Sequence, residues 1–269
     1  ARPGFVSAGD RIRVSVLSSD FFEMETTGTL KVGDSEGMFR VTTGSGSGMR
    51  LVFDNGPALV SLKGVVKAVI DWGDGETETA DGPGLYHHDY HGDGPHEMRI
   101  EGRVDHLSGV SPTLLRVEDF GRTGLTSLAY AFSNAENLSH VAALPATVKR
   151  LDYAFSGVDI DPSGLEDWKT GNVTSMEGMF NANADMNADL SSWDTGSLQN
   201  ARRLFSFTER LRAPAGWNLT SLKSARHMLY KADAMTAGAE AFAIPDSIDP
   251  AAVEGRALLV ASDADESPR

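Results

Sequence analysis

The feature that most constrains this chain is a period of about two dozen residues running through its middle. The aromatic anchors Phe132, Phe155, Phe180 and Phe205, with Leu229 in the matching place, stand 23, 25, 25 and 24 residues apart. Seven residues before each anchor comes a Leu or Val: Leu125, Val148, Val173, Leu198 and Leu222. Twelve residues before it, four of the five copies carry a large aromatic, Phe120, Trp168, Trp193 and Trp217; six residues after it come Leu138, Met186, Leu211 and Met235. The second copy is shorter, has the Leu144–Pro145 region where the others have the aromatic, and sets Ile160 one residue early. A unit this small cannot bury its own apolar stripe, so the copies must stack and share one core.

Within each copy the apolar residues recur at three- and four-residue steps, most clearly at Val173, Met176, Met179 and Phe180. That spacing predicts one short helix per copy. The stretches GLTS, GNVTS and TGSL ahead of it supply turn and N-cap chemistry. Each coil is then read as turn, helix, turn and a short extended stretch. Stacked at the separation of neighbouring strands, five coils span about 25 Å.

Upstream, the texture changes to short strands with Gly-rich punctuation. FRVTT, MRLVF, VVKAVIDW and EMRIEGRV are divided by GSGSG, DNGP and DGPG. Four segments follow from this: residues 1–36, a β segment or docking arm with RIRVSVL, FFEME and TGTLKVG; 37–112, a compact β domain; 113–237, the repeats; and 238–269, a cap and tail containing GAEAFAI and AAVEGRALLVA.

The 269 residues carry a net charge of −14, which repels phosphate backbones, and no run of Lys or Arg along the sequence interrupts it. Nucleic acid is therefore not expected as a partner. There is no cysteine, so neither disulfides nor thiolate chemistry hold or serve the fold. Nowhere do 18 consecutive apolar residues encode a membrane span, and the first 20 residues lack the plan of a signal peptide.

The repeat text LEDWKTGNVTSMEGMFNANADMNADLSSWDTGSLQNARRLF closely resembles the BspA-like (DUF285) leucine-rich repeats of bacterial surface proteins. Just ahead of it, AVIDWGDGETET and YHHDYHGDGPHEMRIEG resemble a PKD-like β-sandwich, with Trp72-Gly73-Asp74-Gly75 as its WGDG signature and His88 and Tyr90 at its His-x-Tyr; His96 departs from that pattern, standing where a tyrosine is usual. The fold class these resemblances imply is α+β: an N-terminal β region and PKD-like sandwich, then a leucine-rich-repeat solenoid of about five coils. They imply adhesion or recognition, at a cell surface or in a phage particle, and no enzyme.

Four groups of residues are candidates for chemistry. Tyr86, His87, His88, Asp89, Tyr90, His91, Asp93 and His96 mix imidazoles with carboxylates, yet a strand places His87 and His91 on one face and His88 on the other. Asp71, Asp74 and Glu76 could offer oxygens to calcium, but their spacing misses the EF-hand, and a hairpin turn at Asp74-Gly75 explains them. Asp71, Asp74, His87 and His91 stay as weak metal candidates, and no metal or cofactor is expected. Glu118–Asp119 and Glu166–Asp167 are adjacent pairs, which rarely face one cleft as glycoside hydrolysis requires. Trp168, Trp193 and Trp217, one coil apart, are either a core stack or a ladder for sugar rings, and they are the candidate ligand-binding residues.

The expected function is recognition or attachment. The first reading is a phage virion component in an oligomeric assembly, docked to other virion or surface proteins through the N-terminal region. Its repeats would contact a host protein or glycan. The alternative is a secreted or cell-surface bacterial adhesin.

Overall fold

The computed structural model describes residues 27–32, 35–40, 48–92, 94–232, 242 and 244–254. The chain divides into two compact units, Ala1–Ser47 and Gly48–Arg269. In the first, β1 (Thr27–Val32) and β2 (Ser35–Arg40) pair antiparallel, from Thr27↔Arg40 to Val32↔Ser35. RIRVSVL and FFEME, the other strand signals of the expected docking arm, lie outside the described residues.

The second unit begins with a seven-stranded mixed sheet made of β3 (Met49–Phe53), β4 (Gly56–Asp71), β5 (Thr77–Ala80), β6 (Gly84–Tyr90), β7 (His96–Val110), β8 (Leu114–Asp119) and β9 (His140–Val141). The order is β5-β4-β7-β3-β8-β9, with β6 also paired to β4. Alternation along β4 and β7 sends Val60, Leu62, Val66, Ala68 and Ile70, and Met98, Ile100, Val104 and Leu107, into the core. Lys67, Val69, Asp71, Arg99 and Glu101 stay on the exposed face.

This single open sheet replaces the expected sandwich of two sheets. The reason lies at the glycines. Gly64 (φ 75), just ahead of the VVKAVIDW segment, does not end a strand: it bulges within one 16-residue strand, and the β4–β7 register shifts between Lys63 and Val66. A Cβ there would come 2.7 Å from that of Asp105. Gly102 (φ 118) likewise keeps the 15-residue β7 continuous, pressed so closely on β4 that a Cβ would lie 2.4 Å from the Lys67 carbonyl oxygen.

β7 and β8 each begin a column of pairings that runs into the repeats. From β7 a chain of single parallel bridges passes His106, Ser127, Arg150, Ser175, Asn200 and Ser224. From β8 the parallel pairs Arg116↔His140 and Val117↔Val141 lead to the bridge His140↔Ser163. The sheet thus provides the first rung for the stacked copies.

The expected α+β solenoid, a helix and a strand in each coil, is not what the chain forms. Among the described residues the one α-helix is α1 (Pro250–Glu254), outside the repeats, and the copies are successions of turns. With the anchor as position 0, the amides at −4, −2, 0 and +2 donate to the next copy: in the third copy Met176 to Asn200, Gly178 to Arg202, Phe180 to Leu204 and Ala182 to Ser206, at 2.7–3.0 Å. The amides between them close tight turns, as from Met179 to Met176 and from Asn181 to Gly178. Positive φ recurs at −2 (Tyr130, Tyr153, Gly178, Arg203, His227) and at +2 (Gly157, Ala182, Phe207, Lys231). Left-handed residues at these two places break any helical run, and the amides a helix would bond internally go to the neighbouring copy instead.

The burial read from the sequence still holds. Val173, Met176, Met179 and Phe180 are at most 1% exposed, because a turn every three residues buries the same positions a helix would. Phe132, Phe155, Phe180 and Phe205 form one continuous stack with centroids 5.1–6.1 Å apart. At the far end α1 accepts the bonds another copy would take, from His227 N–H to Ala252 O (2.8 Å) and from Leu229 N–H to Val253 O (3.0 Å). Of GAEAFAI, Phe242 and Ile244 are described, and Phe242 packs against Trp217.

Candidate functional site

Trp168, Trp193 and Trp217 form the second interior column. Their rings stack at 6.1 and 6.2 Å, nearly parallel at 10° and 9°. They are 0%, 3% and 5% exposed, and their indole N–H groups donate to Ala142 O, Leu165 O and Leu190 O at 2.8–2.9 Å. Ring faces lie against one another and the polar edges are satisfied by backbone, so these tryptophans are core and not an open ladder for sugar rings. The signal read as a ligand platform is the packing signal of the stack itself.

The histidine-rich hairpin resolves into two faces. His87 and His91 are exposed, while His88 and Tyr90 turn inward. His88 stacks on Trp72 (5.1 Å) and meets the edge of Tyr90 (4.9 Å), and Tyr90 stacks on His96 at 4.1 Å. His88 Nε2 lies 2.6 Å from Asp74 Oδ2, and the Tyr90 hydroxyl donates to Trp72 O at 2.6 Å. Burial, then the negative charges of Asp74 and Asp71, push the Tyr90 phenol far above its ordinary range. Desolvation, the largest single influence on Asp74, raises its carboxyl, but the Glu76 N–H and the hydrogen bond and charge of His88 together outweigh it and hold the carboxyl below the ordinary value. Asp71 accepts from Gly73 N–H at 2.9 Å. Asp71 and Asp74 therefore shape the turn from β4 to β5, away from exposed His87 and His91, and no group of three or more candidate metal ligands converges among the described residues. Asp93 lies outside the described residues.

The paired carboxylates cap turns. Arg116 Nε donates to Glu118 at 2.7 Å, and this bond holds the Glu118 carboxyl below its usual value. Asp119 accepts from Gly121 N–H and Glu166 from Gly164 N–H.

The surface with chemical variety is the line of turns at −5, −3, −2 and +2. Its rungs are set by the bridges, so side chains from different copies meet at one strand spacing. Tyr130 and Tyr153 stack there at 5.1 Å, Tyr130 being half exposed. In the middle, buried Asp152 accepts from Ser175 Oγ, from Glu177 N–H (3.0 Å) and from Arg150 Nε (2.8 Å). Tyr153 O–H and Asn200 Nδ2 converge on Glu177 at 3.1 and 2.9 Å. Toward the last copies the face turns basic and aromatic, with Arg202, Arg203, Phe207, Arg226, Tyr230 and Lys231.

None of these residues was singled out by the sequence reading, which found no basic cluster. Their cations sit about one period apart in the chain and meet only through stacking. Reading the −3, −2 and +2 columns across the aligned copies, instead of runs along the chain, would have found them.

None of the curated proteins or solved structures compared with the chain matches it. The stacked copies do have a family counterpart: residues 126–242 match the family described as "Mycoplasma protein of unknown function, DUF285".

Proposed function

We propose that this chain is a non-enzymatic recognition or attachment module that presents the turn face of its stacked repeats to a macromolecular partner. The observation that carries this reading is the division of labour within each copy. Interior positions repeat the same apolar types, whereas position −2 changes from Tyr130 and Tyr153 through Gly178 to Arg203 and His227 while its backbone conformation stays the same. A fixed frame with variable outward residues suits binding by repeat arrays.

The setting belongs to the same proposal: a virion component, or alternatively a bacterial cell-surface adhesin. No helix among the described residues is long and apolar enough to cross a membrane. The test is to incubate the purified chain with intact cells of the native source and of its hosts. A second chain carries three changes on the turn face, Tyr130→Ser, Tyr153→Ser and Arg203→Ser. Binding that the altered chain loses supports the reading. Binding equal in both chains, or hydrolysis of envelope polysaccharide by the unaltered chain, overturns it. Mass spectrometry of purified particles against envelope fractions separates the two settings.

A further inference from the structure

The last two described copies carry a basic and aromatic surface on a chain whose net charge is −14. Arg203 and Arg226 are adjacent rungs, joined by the bond from Arg203 N–H to Arg226 O at 3.0 Å. His227 lies beside Tyr230 at 5.5 Å between centroids. Phe207, 44% exposed, meets Tyr230 edge-on at 5.3 Å, and Lys231 Nζ stands 5.2 Å from the Phe207 centroid and 5.6 Å from that of Tyr230. Among the described residues no carboxylate forms an ion pair with Arg203, Arg226 or Lys231, whereas Arg202 reaches Glu177 and Arg210 reaches Asp185. Burial, then Arg226, Arg203 and Arg202, push His227 below its ordinary value.

Three cations without an ion pair among the described residues, beside an exposed aromatic ring, suit an anion with an apolar face. Guanidinium groups match carboxylates in a planar, two-point geometry. The surface spans two rungs, about 10 Å at strand spacing, and the acidic remainder of the chain repels a long polyanion running beyond it. Both limits favour a single charged sugar over a nucleic-acid strand. A pyranose bearing a carboxylate offers the anion to the arginines and its C–H face to Phe207, which an Asp or Glu side chain in a peptide does not.

We propose that Arg203, Phe207, Arg226, His227, Tyr230 and Lys231 form a binding site for an acidic sugar residue of the uronic-acid class. This rests on the recognition reading above and names the ligand class for one end of the same face.

The test titrates trigalacturonate into the full chain while amide and His227 ring signals are followed by NMR. The expected result is saturable shifts at Arg203, Arg226, His227 and Tyr230, with the His227 titration midpoint moving up as the anion offsets the arginines. The neutral galactose trisaccharide binds at least about tenfold more weakly, and Arg203→Gln with Arg226→Gln loses about tenfold in affinity while the unfolding temperature holds. No saturable shift with trigalacturonate overturns the site. So does an equal or stronger response to a triglutamate peptide or a short single-stranded DNA. If the doubly substituted chain still binds whole cells undiminished, this site is wrong while the recognition reading stands.

Discussion

Tyr153 lays its ring directly over Gly178: a Cβ on that glycine would come 2.3 Å from Tyr153 Cε1. The contact joins position −2 of one copy to position −2 of the next. Tyr130 stacks on the other side of Tyr153, so the ring is held from both directions. Gly178 also has φ 57, a conformation that costs most other residues steric strain. Gly178→Ala is expected to destabilise the fold by about 1–3 kcal/mol through clash and strain together. Chemical denaturation checks this, and Tyr153→Ala in the same background should recover the clash part but not the strain.

Ala182 makes the opposite case. It stands at +2 with φ 55 and is exposed, at the place where the preceding copy has Gly157 with φ 75. Its N–H bond to Ser206 O does not depend on the side chain. Ala182→Gly should raise stability by about 0.5–1 kcal/mol, with relief of the left-handed strain exceeding glycine's entropy cost. A lower denaturation midpoint would contradict the strain assigned to this position.

Trp193 is the middle ring of its stack and donates to Leu165 O. Trp193→Ala removes the ring and the hydrogen bond and is expected to cost about 3–5 kcal/mol. Trp193→Phe keeps most of the stack, leaves the Leu165 carbonyl with the Trp168 N–H as its remaining donor, and should cost less. Unfolding followed by Trp fluorescence and by circular dichroism should give one shared transition for the wild-type stack, since its copies share one core.

The sheet's response to pH follows from Tyr90 and Asp74. The Tyr90 phenol is raised when folded, so its contribution is complete below its ordinary value of 10.0 and is lost as pH climbs above that. Asp74 is lowered when folded, so its contribution is present above its ordinary value of 3.8 and is lost as pH falls below it. Unfolding temperatures across pH 3–11 should therefore drop at both ends. Tyr90→Phe should flatten the alkaline limb alone, whereas Asp74→Asn should flatten the acid limb and also reduce the alkaline one, because the Asp74 charge is among the causes that raise Tyr90.

The residues buried in the repeats were legible from the period, since Phe132 to Leu229 and Trp168 to Trp217 are where the spacing put them. The backbone joining them was not. Val173, Met176, Met179 and Phe180 follow one another at steps that a helix and a row of turns share, and apolar spacing alone cannot separate the two. The deciding signal is the left-handed pair at −2 and +2, visible as glycine in Gly178 and Gly157 but masked in the other copies by Tyr, Arg, His, Ala, Phe and Lys. In the sheet, Gly64 stands just ahead of the VVKAVIDW strand and Gly102 inside EMRIEGRV, and glycine marks turns and bulges alike. Only the close approach of Asp105 to Gly64 and of the β4 backbone to Gly102 shows which applies. The turn-face cations were hidden for a different reason: charge was judged along the chain, whereas Arg203 and Arg226 become neighbours only across rungs.

The bridges passing from His106 to Ser224 carry register outward from the sheet. Each copy inherits its alignment from the one before, so the stacked copies within the second unit work like a graduated scale fixed at the sheet. Inserting or deleting one copy ahead of Arg203 would move the basic end by one graduation, about 5 Å, leaving every contact within that end unchanged. The number of copies and the set of side chains at the end of the stack are thereby independent properties, and copies can be added without rebuilding that end.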